Sequence, residues 1–256
     1  MRILMIGDVV GAPGRSALAQ VVPTLRRSHG IDLVIANGEN AAGGRGLTVA
    51  TAKEMLDAGV DVITSGNHIW AQREMVEHLD SDLPILRPLN YPPMAPGRGH
   101  LKVKGVVVVN LIARTFLANV DCPFRCADGL LTEIDDQSSI IVVDFHGEAT
   151  SEKVVMGWYL DGRVSAVVGT HTHVPTADAR ILPRGTAHVT DVGMVGPRDS
   201  VLGVRPERII SHFVTRLPAH FEVARGPVVF NSVLLDVDSN SGRAASIVRI
   251  DELVGE

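Results

Sequence analysis

The chain has 256 residues, of which 45% are hydrophobic and 21% charged, a composition that is ordinary for a globular enzyme. The formal net charge is −5, and the absence of any run of Lys or Arg argues against a nucleic-acid-binding protein that relies on a broad basic surface. The apolar N-terminus is too short to span a bilayer and is interrupted by Asp8, so we expect no membrane partner.

Apolar runs alternate with amphipathic segments through the first part of the chain. We predict strands at RILMIGD, IDLVIANGEN and VDVITSGNH, and helices at RSALAQVVPTLRRS, TVATAKEMLDAG and QREMVEHL. The second helix has a candidate capping box at Thr51 and Glu54 and a stop at Gly59. This alternation predicts a parallel sheet covered by helices.

The rest of the chain is richer in strands. An antiparallel pair is predicted around Lys104 and Gly105, in LKVKGVVVVNLIA. After a polar loop, we predict two strands, SSIIVVDFHGE and VSAVVGTHTH, with the helix SEKVVMGWYLDG between them. There follow a β-rich stretch at GTAHVTDVGM, a loop at VGPRDSVLG, a helix near PERIISHFVTRL and β-rich sequence to ASIVRIDEL. One sheet does not comfortably hold so many strands, so we predict two packed sheets with helices outside, in a single domain spanning residues 1–256.

Ligand-type side chains stand where the predicted central strands end. They are Asp8, Glu39, Asn40, Asn67, His68, His146, His171 and His173. Each has an ordinary structural explanation, such as turn formation for Asn40 and Asn67 beside glycines, or core packing for His146. The carboxyl ends of parallel strands gather along one edge of a sheet, however, and ligands bind there. We therefore predict that these side chains form one cluster.

The donor types in this cluster predict its chemistry. Oxygen and nitrogen donors without a thiolate suit manganese, iron or zinc. The number of donors exceeds what one tetrahedral ion needs, whereas two ions about 3.5–4 Å apart, bridged by a single carboxylate, would use them sensibly. Asp8 and Glu39 would neutralise only part of the metal charge, so an anionic substrate such as a phosphate ester is favoured. Metal-bound water has a pKa of about 7, which favours hydrolysis.

Five short motifs occur in a diagnostic order: GD after the first strand, GEN, GNH, a lone His after an apolar strand, and GTHTH. They resemble the motifs of the calcineurin-like metallophosphoesterases, and most closely those of the YmdB-like branch, along nearly the full chain. The wider superfamily usually has Asp-x-His where Asp8 is followed by Val9 and Val10, and Asp where this chain has Glu39. The YmdB-like branch shares both departures. The resemblance implies a four-layer α/β/β/α sandwich of two mixed sheets flanked by helices.

The resemblance also implies a set of roles. One metal would be held by Asp8, Glu39, Asn40 and His173, and the other by Glu39, Asn67, His146 and His171. Iron or manganese is implied, with zinc as an alternative. By the same resemblance, His68 would donate a proton to the leaving oxygen, a step that hydrolysis of an ester requires. Arg45 and Arg198 lie in predicted loops that could reach a substrate, although solvent exposure explains them equally well.

The implied reaction is hydrolysis of 2′,3′-cyclic nucleotides at the 2′ ester to 3′-nucleotides, by attack of a metal-bridging hydroxide. The residues themselves do not select this substrate over another phosphodiester or a phosphomonoester. A regulatory protein that keeps the metal fold but binds RNA or a partner protein is the alternative. A homo-oligomer is an open expectation. The only cysteines, Cys122 and Cys126, lack CxxC spacing, so we expect a reduced, cytoplasmic protein.

Overall fold

The structure is a computed structural model that describes residues 1–134 and 140–255. Elements are numbered in chain order. The first sheet contains, in spatial order, β12 (Ala244–Val254), β11 (Val228–Val237), β10 (Met194–Pro197), β1 (Arg2–Val9), β2 (Leu33–Asn37) and β3 (Val62–Thr64). The second contains β4 (His100–Val103), β5 (Val106–Ile112), β6 (Ile140–His146), β7 (Ala166–Thr170), β9 (Ala187–Val189) and β8 (Arg180–Ile181). The helices are α1 (Gly11–His29), α2 (Val49–Asp57), α3 (Arg73–His78), α4 (Pro123–Ile134), α5 (Thr150–Leu160) and α6 (Pro206–Thr215).

Both sheets are mixed, with parallel strands at the centre. In the first sheet, β1 is parallel to β2 and β10, and β2 is parallel to β3, whereas β11 and β12 are antiparallel additions. In the second sheet, β5, β6, β7 and β9 run parallel, with β4 and β8 antiparallel at the two edges. The parallel strands of each sheet therefore bring their carboxyl ends to one edge, as predicted.

Alternation along the strands explains the layers. In β1, Ile3 and Met5 pack between the two sheets, whereas Leu4 and Ile6 pack on the opposite face, beneath helices. All four side chains are fully buried, and each contributes about 1.5–3 kcal/mol through the hydrophobic effect. Two apolar faces on one strand require a layer on each side of the sheet.

The outer layers complete the sandwich. Leu18 of α1 and Met55 of α2 belong to the core on the outer face of the first sheet. Leu130 of α4 and Met156 of α5 belong to the core on the outer face of the second sheet. The predicted α/β/β/α sandwich of two mixed sheets flanked by helices is thus confirmed.

The predicted capping box of α2 was wrong by one turn. Thr48 is the N-cap: its hydroxyl accepts a hydrogen bond from Thr51 N at 3.1 Å, and Thr51 Oγ1 accepts one from Thr48 N at 2.9 Å. Thr48 has extended dihedral angles, so the helix begins at Val49 and Thr51 lies inside its first turn. Glu54 pairs with Arg15 instead.

Two predicted loops contain other structure. The segment given as a polar loop forms α4, because Ala127 and Leu130 on one helical face pack against the second sheet. Part of the predicted loop VGPRDSVLG is strand β10, which is buried between β1 and β11. The short strand β8 was also missed. Ser138 and Ser139 of the predicted strand SSIIVVDFHGE lie outside the described residues.

One helix is unlike the others. None of the residues of α6 is buried against the described part of the chain, and Phe213 and Val214 are 67% and 78% exposed. Among the described residues, no helix is both long enough and apolar enough to cross a bilayer.

Candidate metal centre

All eight predicted ligand-type residues meet at the carboxyl edge of the two sheets. Their contacts form two groups: Glu39 touches His146 of the first, and the resemblance implies that Glu39 also belongs to the second. We call Glu39, Asn67, His146 and His171 the β6 half, and Asp8, Glu39, Asn40 and His173 the β1 half. His68 contacts both Glu39 and Asn40. The strand ends therefore bring together residues that are far apart in sequence.

The β6 half is the more compact group. His146 Nε2 lies 3.1 Å from Glu39 Oε1, 3.1 Å from Asn67 Oδ1 and 3.0 Å from His171 Nδ1. Glu39, His146 and His171 each offer one ligand atom, and these three atoms lie within 4.8 Å of one another. This spacing is suited to a single small cation between them.

The β1 half is more open and less completely hydrogen-bonded. His173 Nε2 lies 3.8 Å from Asp8 Oδ1 and 3.1 Å from Asn40 Nδ2. Asp8 Oδ2 accepts a hydrogen bond from His171 N at 3.0 Å. Asp8 Oδ1 is buried and has no hydrogen-bond partner within residues 1–134 and 140–255. A buried carboxylate oxygen is costly without a partner, so this atom fits a metal ligand.

Asn40 is oriented differently from a ligand. Its Nδ2 faces His173, and its Oδ1 lies 3.1 Å from His68 Nδ1. Metal binding through the carboxamide oxygen would require the two ends of this group to exchange places, a rotation that the similar size of the two ends permits. After the exchange, Asn40 Nδ2 would face His68 Nδ1 and could donate to it. The structure thus brings Asn40 to the predicted place with the nitrogen end inward.

In each of the three histidines, the ring nitrogen that faces away from the cluster has a hydrogen-bond partner, which determines which nitrogen carries the proton. Thr170 Oγ1 donates to Asp144 Oδ1 at 2.7 Å and therefore accepts from His146 Nδ1, 2.9 Å away. His173 Nδ1 donates to the Leu202 carbonyl at 2.9 Å. His171 Nε2 lies 3.1 Å from Glu148 Oε2. With their protons on these outer nitrogens, all three rings present a lone pair to the cluster.

These inward lone pairs require positive charge. The inward nitrogen of His146 lies 3.0 Å from that of His171 and 3.1 Å from Glu39 Oε1. At such distances acceptors repel one another unless a cation or a proton lies among them. The residues present therefore fit a divalent metal by their donor type and by their orientation.

The pKa values express the same need for positive charge. Burial raises the pKa of Asp8 to about 6, against the opposing charges of His173 and His146. Burial also disfavours charge on Glu39 and His146, yet their mutual attraction prevails: the pKa of Glu39 falls to about 2 and that of His146 rises to about 9. Burial and the neighbouring His146 lower the pKa of His171 to about 3. Without a metal, the cluster would thus retain a proton beside Glu39.

Glycine is required at the floor of the β6 half. A Cβ atom at Gly66 would lie 2.1 Å from His146 Cδ2 and 2.5 Å from Glu39 Oε2. The GNH motif therefore has glycine because the backbone passes directly against two candidate ligands.

His171 and His173 do not lie in a strand, contrary to the prediction. β7 ends at Thr170, and His171 and His173 have φ angles of 101° and 65°, in the left-handed region. A tight turn, rather than strand alternation, directs both rings into the cluster. Thr172 points away from it, because its N–H and hydroxyl both donate to Asp191 Oδ2, at 3.0 and 2.8 Å.

An ion pair beneath this turn was not predicted from the sequence. Lys153 and Asp191 are each 1% exposed, and Lys153 Nζ donates to Asp191 Oδ2 at 2.6 Å and to the Thr170 carbonyl at 2.8 Å. A lysine on the apolar inner face of a predicted helix was the available signal, because a lysine is almost never fully buried unless it is paired. The pair holds the turn between the two histidines.

The three remaining predicted residues are His68, Arg45 and Arg198. His68 N donates to Glu39 Oε2 at 3.0 Å; burial lowers the pKa of His68, Glu39 opposes this, and the charge of Arg45 adds to it. Arg45 lies in the loop after Asn40, and its carbonyl accepts from Gln72 at 3.0 Å. The guanidinium of Arg198 pairs with Asp199 at 3.0 and 3.2 Å. The roles of all three stay predictions.

Comparison with known proteins yields close matches over nearly the whole chain. The family described as YmdB-like protein matches residues 4–250. The chain is 49% identical to the 2′,3′-cyclic-nucleotide 2′-phosphodiesterase of Bacillus subtilis (strain 168) over 254 residues, which cover 98% of this chain and 96% of the relative.

Two solved structures agree with this match. A hypothetical protein from Thermus thermophilus superposes with a TM-score of 0.92 at 44% identity, covering 99% of both chains. A novel phosphatase from Mycoplasma pneumoniae superposes with a TM-score of 0.93 at 34% identity, covering 99% of this chain and 93% of the phosphatase.

Proposed function

The chain belongs to the family of YmdB-like proteins, and from this premise we propose that it is a metal-dependent phosphodiesterase that hydrolyses 2′,3′-cyclic nucleotides at the 2′ ester to 3′-nucleotides. The name of the Bacillus subtilis relative supports this substrate class. The observation that carries the proposal is the close approach of the inward nitrogen of His146 to His171 Nδ1, at 3.0 Å, and to Glu39 Oε1, at 3.1 Å. Such an arrangement needs positive charge, which a bound metal ion would supply.

The grouping of donors that the resemblance implies would give two metal sites. The β1 half would hold one ion and the β6 half the other, with Glu39 shared. When bound, two divalent ions offset the negative charge of a phosphodiester and activate water for attack at phosphorus. Iron or manganese suits a set of carboxylate, carboxamide and imidazole donors, and zinc is the alternative.

Glu39 would serve both ions. Its Oε1 faces His146, and its Oε2 accepts a hydrogen bond from His68 N at 3.0 Å. The backbone hydrogen bond and the burial of the side chain restrict the carboxylate to one orientation. Glu39 can therefore remain in place while substrate enters and product leaves.

His68 is the candidate proton donor. Its side chain is 29% exposed, whereas Glu39 beside it is buried. Because Nδ1 faces the carboxamide of Asn40, Nε2 is the nitrogen left to meet substrate. We infer that His68 delivers a proton to the leaving 2′ oxygen, which would otherwise depart as an unstable alkoxide.

Phosphorus NMR of 2′,3′-cyclic AMP would test the proposed reaction. Manganese- or iron-loaded protein should convert the substrate to 3′-AMP, and Asn67→Ala should lose most of this activity because it removes one ligand of the β6 half. Hydrolysis of 3′-AMP but not of the cyclic nucleotide would favour a phosphomonoesterase. Failure to hydrolyse either compound, by protein that has taken up metal, would favour the regulatory alternative.

We further propose that two copies of this chain associate through α6. Ile210, Phe213 and Val214 form an exposed apolar stripe at helical spacing. Glu207 and Arg216 lie at its opposite ends, so two antiparallel copies of α6 would place each Glu207 near the partner's Arg216 and bury the stripes against one another.

Light scattering would test this association. The wild type should have the mass of a dimer or a larger even-numbered assembly, and Phe213→Glu should reduce it to a monomer. Val155→Glu provides a control, since Val155 is 52% exposed on the separate helix α5. A monomeric wild type would contradict the proposal.

A further inference from the structure

Glu148 lies at the rim of the candidate metal centre without a predicted role. It follows His146 by two residues, in the turn between β6 and α5. Its Oε2 atom lies 3.1 Å from His171 Nε2. The path of this turn is restricted at Gly147, where an added Cβ would lie 2.8 Å from the Cβ of Ala113. The chain thus places a carboxylate against the outer nitrogen of one candidate ligand.

The three histidines of the centre have chemically different outer partners. His146 is bonded to Thr170 and through it to the buried Asp144. His173 donates to a neutral backbone carbonyl, that of Leu202. Only His171, among these three, has a carboxylate as its direct outer partner. A carboxylate that accepts the outer N–H of an imidazole holds the ring in one orientation and raises the basicity of the inner nitrogen.

His171 has particular need of such a partner. Its backbone lies in the left-handed region, beyond the end of β7, so strand pairing does not restrain it. Its side chain is 19% exposed, whereas that of His146 is fully buried. The ring packs edge-on against His146 with centroids 4.7 Å apart, a contact that alone does not distinguish Nδ1 inward from Nε2 inward.

We propose that Glu148 is a positioning residue that directs His171 Nδ1 at the metal of the β6 half and strengthens metal binding there, and not in the β1 half. This inference rests on the proposed function. Glu148 is 52% exposed, and exposed ion pairs contribute little to folding stability. The effect of Glu148 is therefore expected in metal affinity rather than in the stability of the metal-free fold.

The discriminating experiment is a calorimetric titration of the metal-free full-length chain with Mn²⁺. Wild type should show two sites. Glu148→Gln keeps the size of the side chain but loses its charge, and one of the two sites should weaken by about 10–100-fold while the other is retained. Thermal unfolding of the metal-free protein should be the same for the variant and the wild type. Glu133→Gln, at an exposed position of α4, is the matched control and should bind both ions as the wild type does.

Two results would overturn this inference. Unchanged affinity at both sites would show that the Glu148 contact does not support the metal. Equal weakening of both sites would show a general disturbance of the edge instead of positioning of His171. In either case a wild type that binds two ions leaves the proposed function intact, whereas a wild type that binds no Mn²⁺ would contradict the proposed function as well.

Discussion

Two carboxylates at opposite ends of the first sheet differ in the partners that the chain gives them. At the amino end of β3, Asp61 is paired with Lys104 at 2.8 Å and Arg26 at 2.5 Å, and it accepts a hydrogen bond from Val34 N. At the carboxyl end of β1, Asp8 is buried with one oxygen unsatisfied within the described residues. At the amino end, lysine and arginine side chains of the chain itself neutralise Asp61. At the carboxyl end, Asp8 lies among other hydrogen-bond acceptors, an arrangement that suits a bound metal ion.

The buried ion pair beneath the carboxyl edge should give the largest effect. Lys153→Met leaves Asp191 charged and buried without its partner, and we expect a loss of about 3–5 kcal/mol in the free energy of unfolding. The turn that carries His171 and His173 loses its support as well, so metal binding should weaken in both halves. Urea denaturation of the metal-free protein measures the first effect.

A half-exposed ion pair provides the matched control for this change. Arg163 pairs with Asp128 at 2.6 Å in a partly exposed position. Arg163→Met should cost at most about 1 kcal/mol, because solvent screens such pairs. Equal losses for the two variants would contradict the distinction between a buried support and a surface pair.

Metal addition should stabilise the carboxyl edge alone. Mn²⁺ at a concentration a hundred times the dissociation constant should raise the free energy of unfolding by about 2.7 kcal/mol per site, because it binds the folded chain. Asn67→Ala should lose part of this gain. Asp61→Asn should keep all of it, because Asp61 lies at the other end of the sheet. Thermal unfolding with and without Mn²⁺ measures these differences, and a gain lost in Asp61→Asn would refute the separation of the two ends.

The cluster could be predicted from the sequence because it depends on topology. Asp8, Asn67 and His146 each follow an apolar run, and parallel strands deliver such positions to one edge whatever the details of packing. Two sheets followed from the number of strands. The motif resemblance then supplied the grouping of the donors, which spacing alone leaves undetermined.

The supporting residues could not be predicted in this way. Glu148 in a turn and Asp191 after a strand look like ordinary polar residues until the contacts with His171 and Thr172 are seen. The left-handed turn at His171 and His173 replaced the expected strand, since hydrophobic alternation does not report where pairing ends. Helix α4 was missed because its buried face is short.

Removal of the outer partner of His146 should have an intermediate effect. Thr170→Val keeps the shape of the side chain but leaves the Nδ1–H of His146 and one oxygen of Asp144 without their hydrogen bonds. We expect a loss of about 1–3 kcal/mol in the free energy of unfolding and about 10–100-fold weaker Mn²⁺ binding in the β6 half. Denaturation and calorimetry test the two parts separately. Thr172→Val is the control, because it removes a hydroxyl that donates to Asp191 and not one bonded to His146. An equal loss of Mn²⁺ affinity in the β6 half of this control would contradict a specific dependence of His146 on Thr170.

The smallest effect is expected at the amino end, and it should depend on pH. Burial alone would raise the pKa of Asp61, but Lys104, the Val34 N–H and Arg26 together lower it below the ordinary value of 3.8. A carboxylate with a lowered pKa in the folded state stabilises that state above its unfolded pKa and loses this contribution as the pH falls through the folded value. Asp61→Asn should therefore cost about 1 kcal/mol at neutral pH.

The difference in the free energy of unfolding between the wild type and Asp61→Asn should follow the titration of Asp61 and should not depend on metal. Between about pH 7 and pH 5 the carboxyl is ionised in both the folded and the unfolded wild type, so the gap to Asp61→Asn should stay constant. Below about pH 4 it should narrow and then close. Urea denaturation of metal-free protein across this range measures the gap. A gap that widened on acidification would mean that Asp61 has a raised pKa, and the amino end would then resemble Asp8 at the carboxyl edge, where the carboxylate lacks a sufficient cation of its own chain.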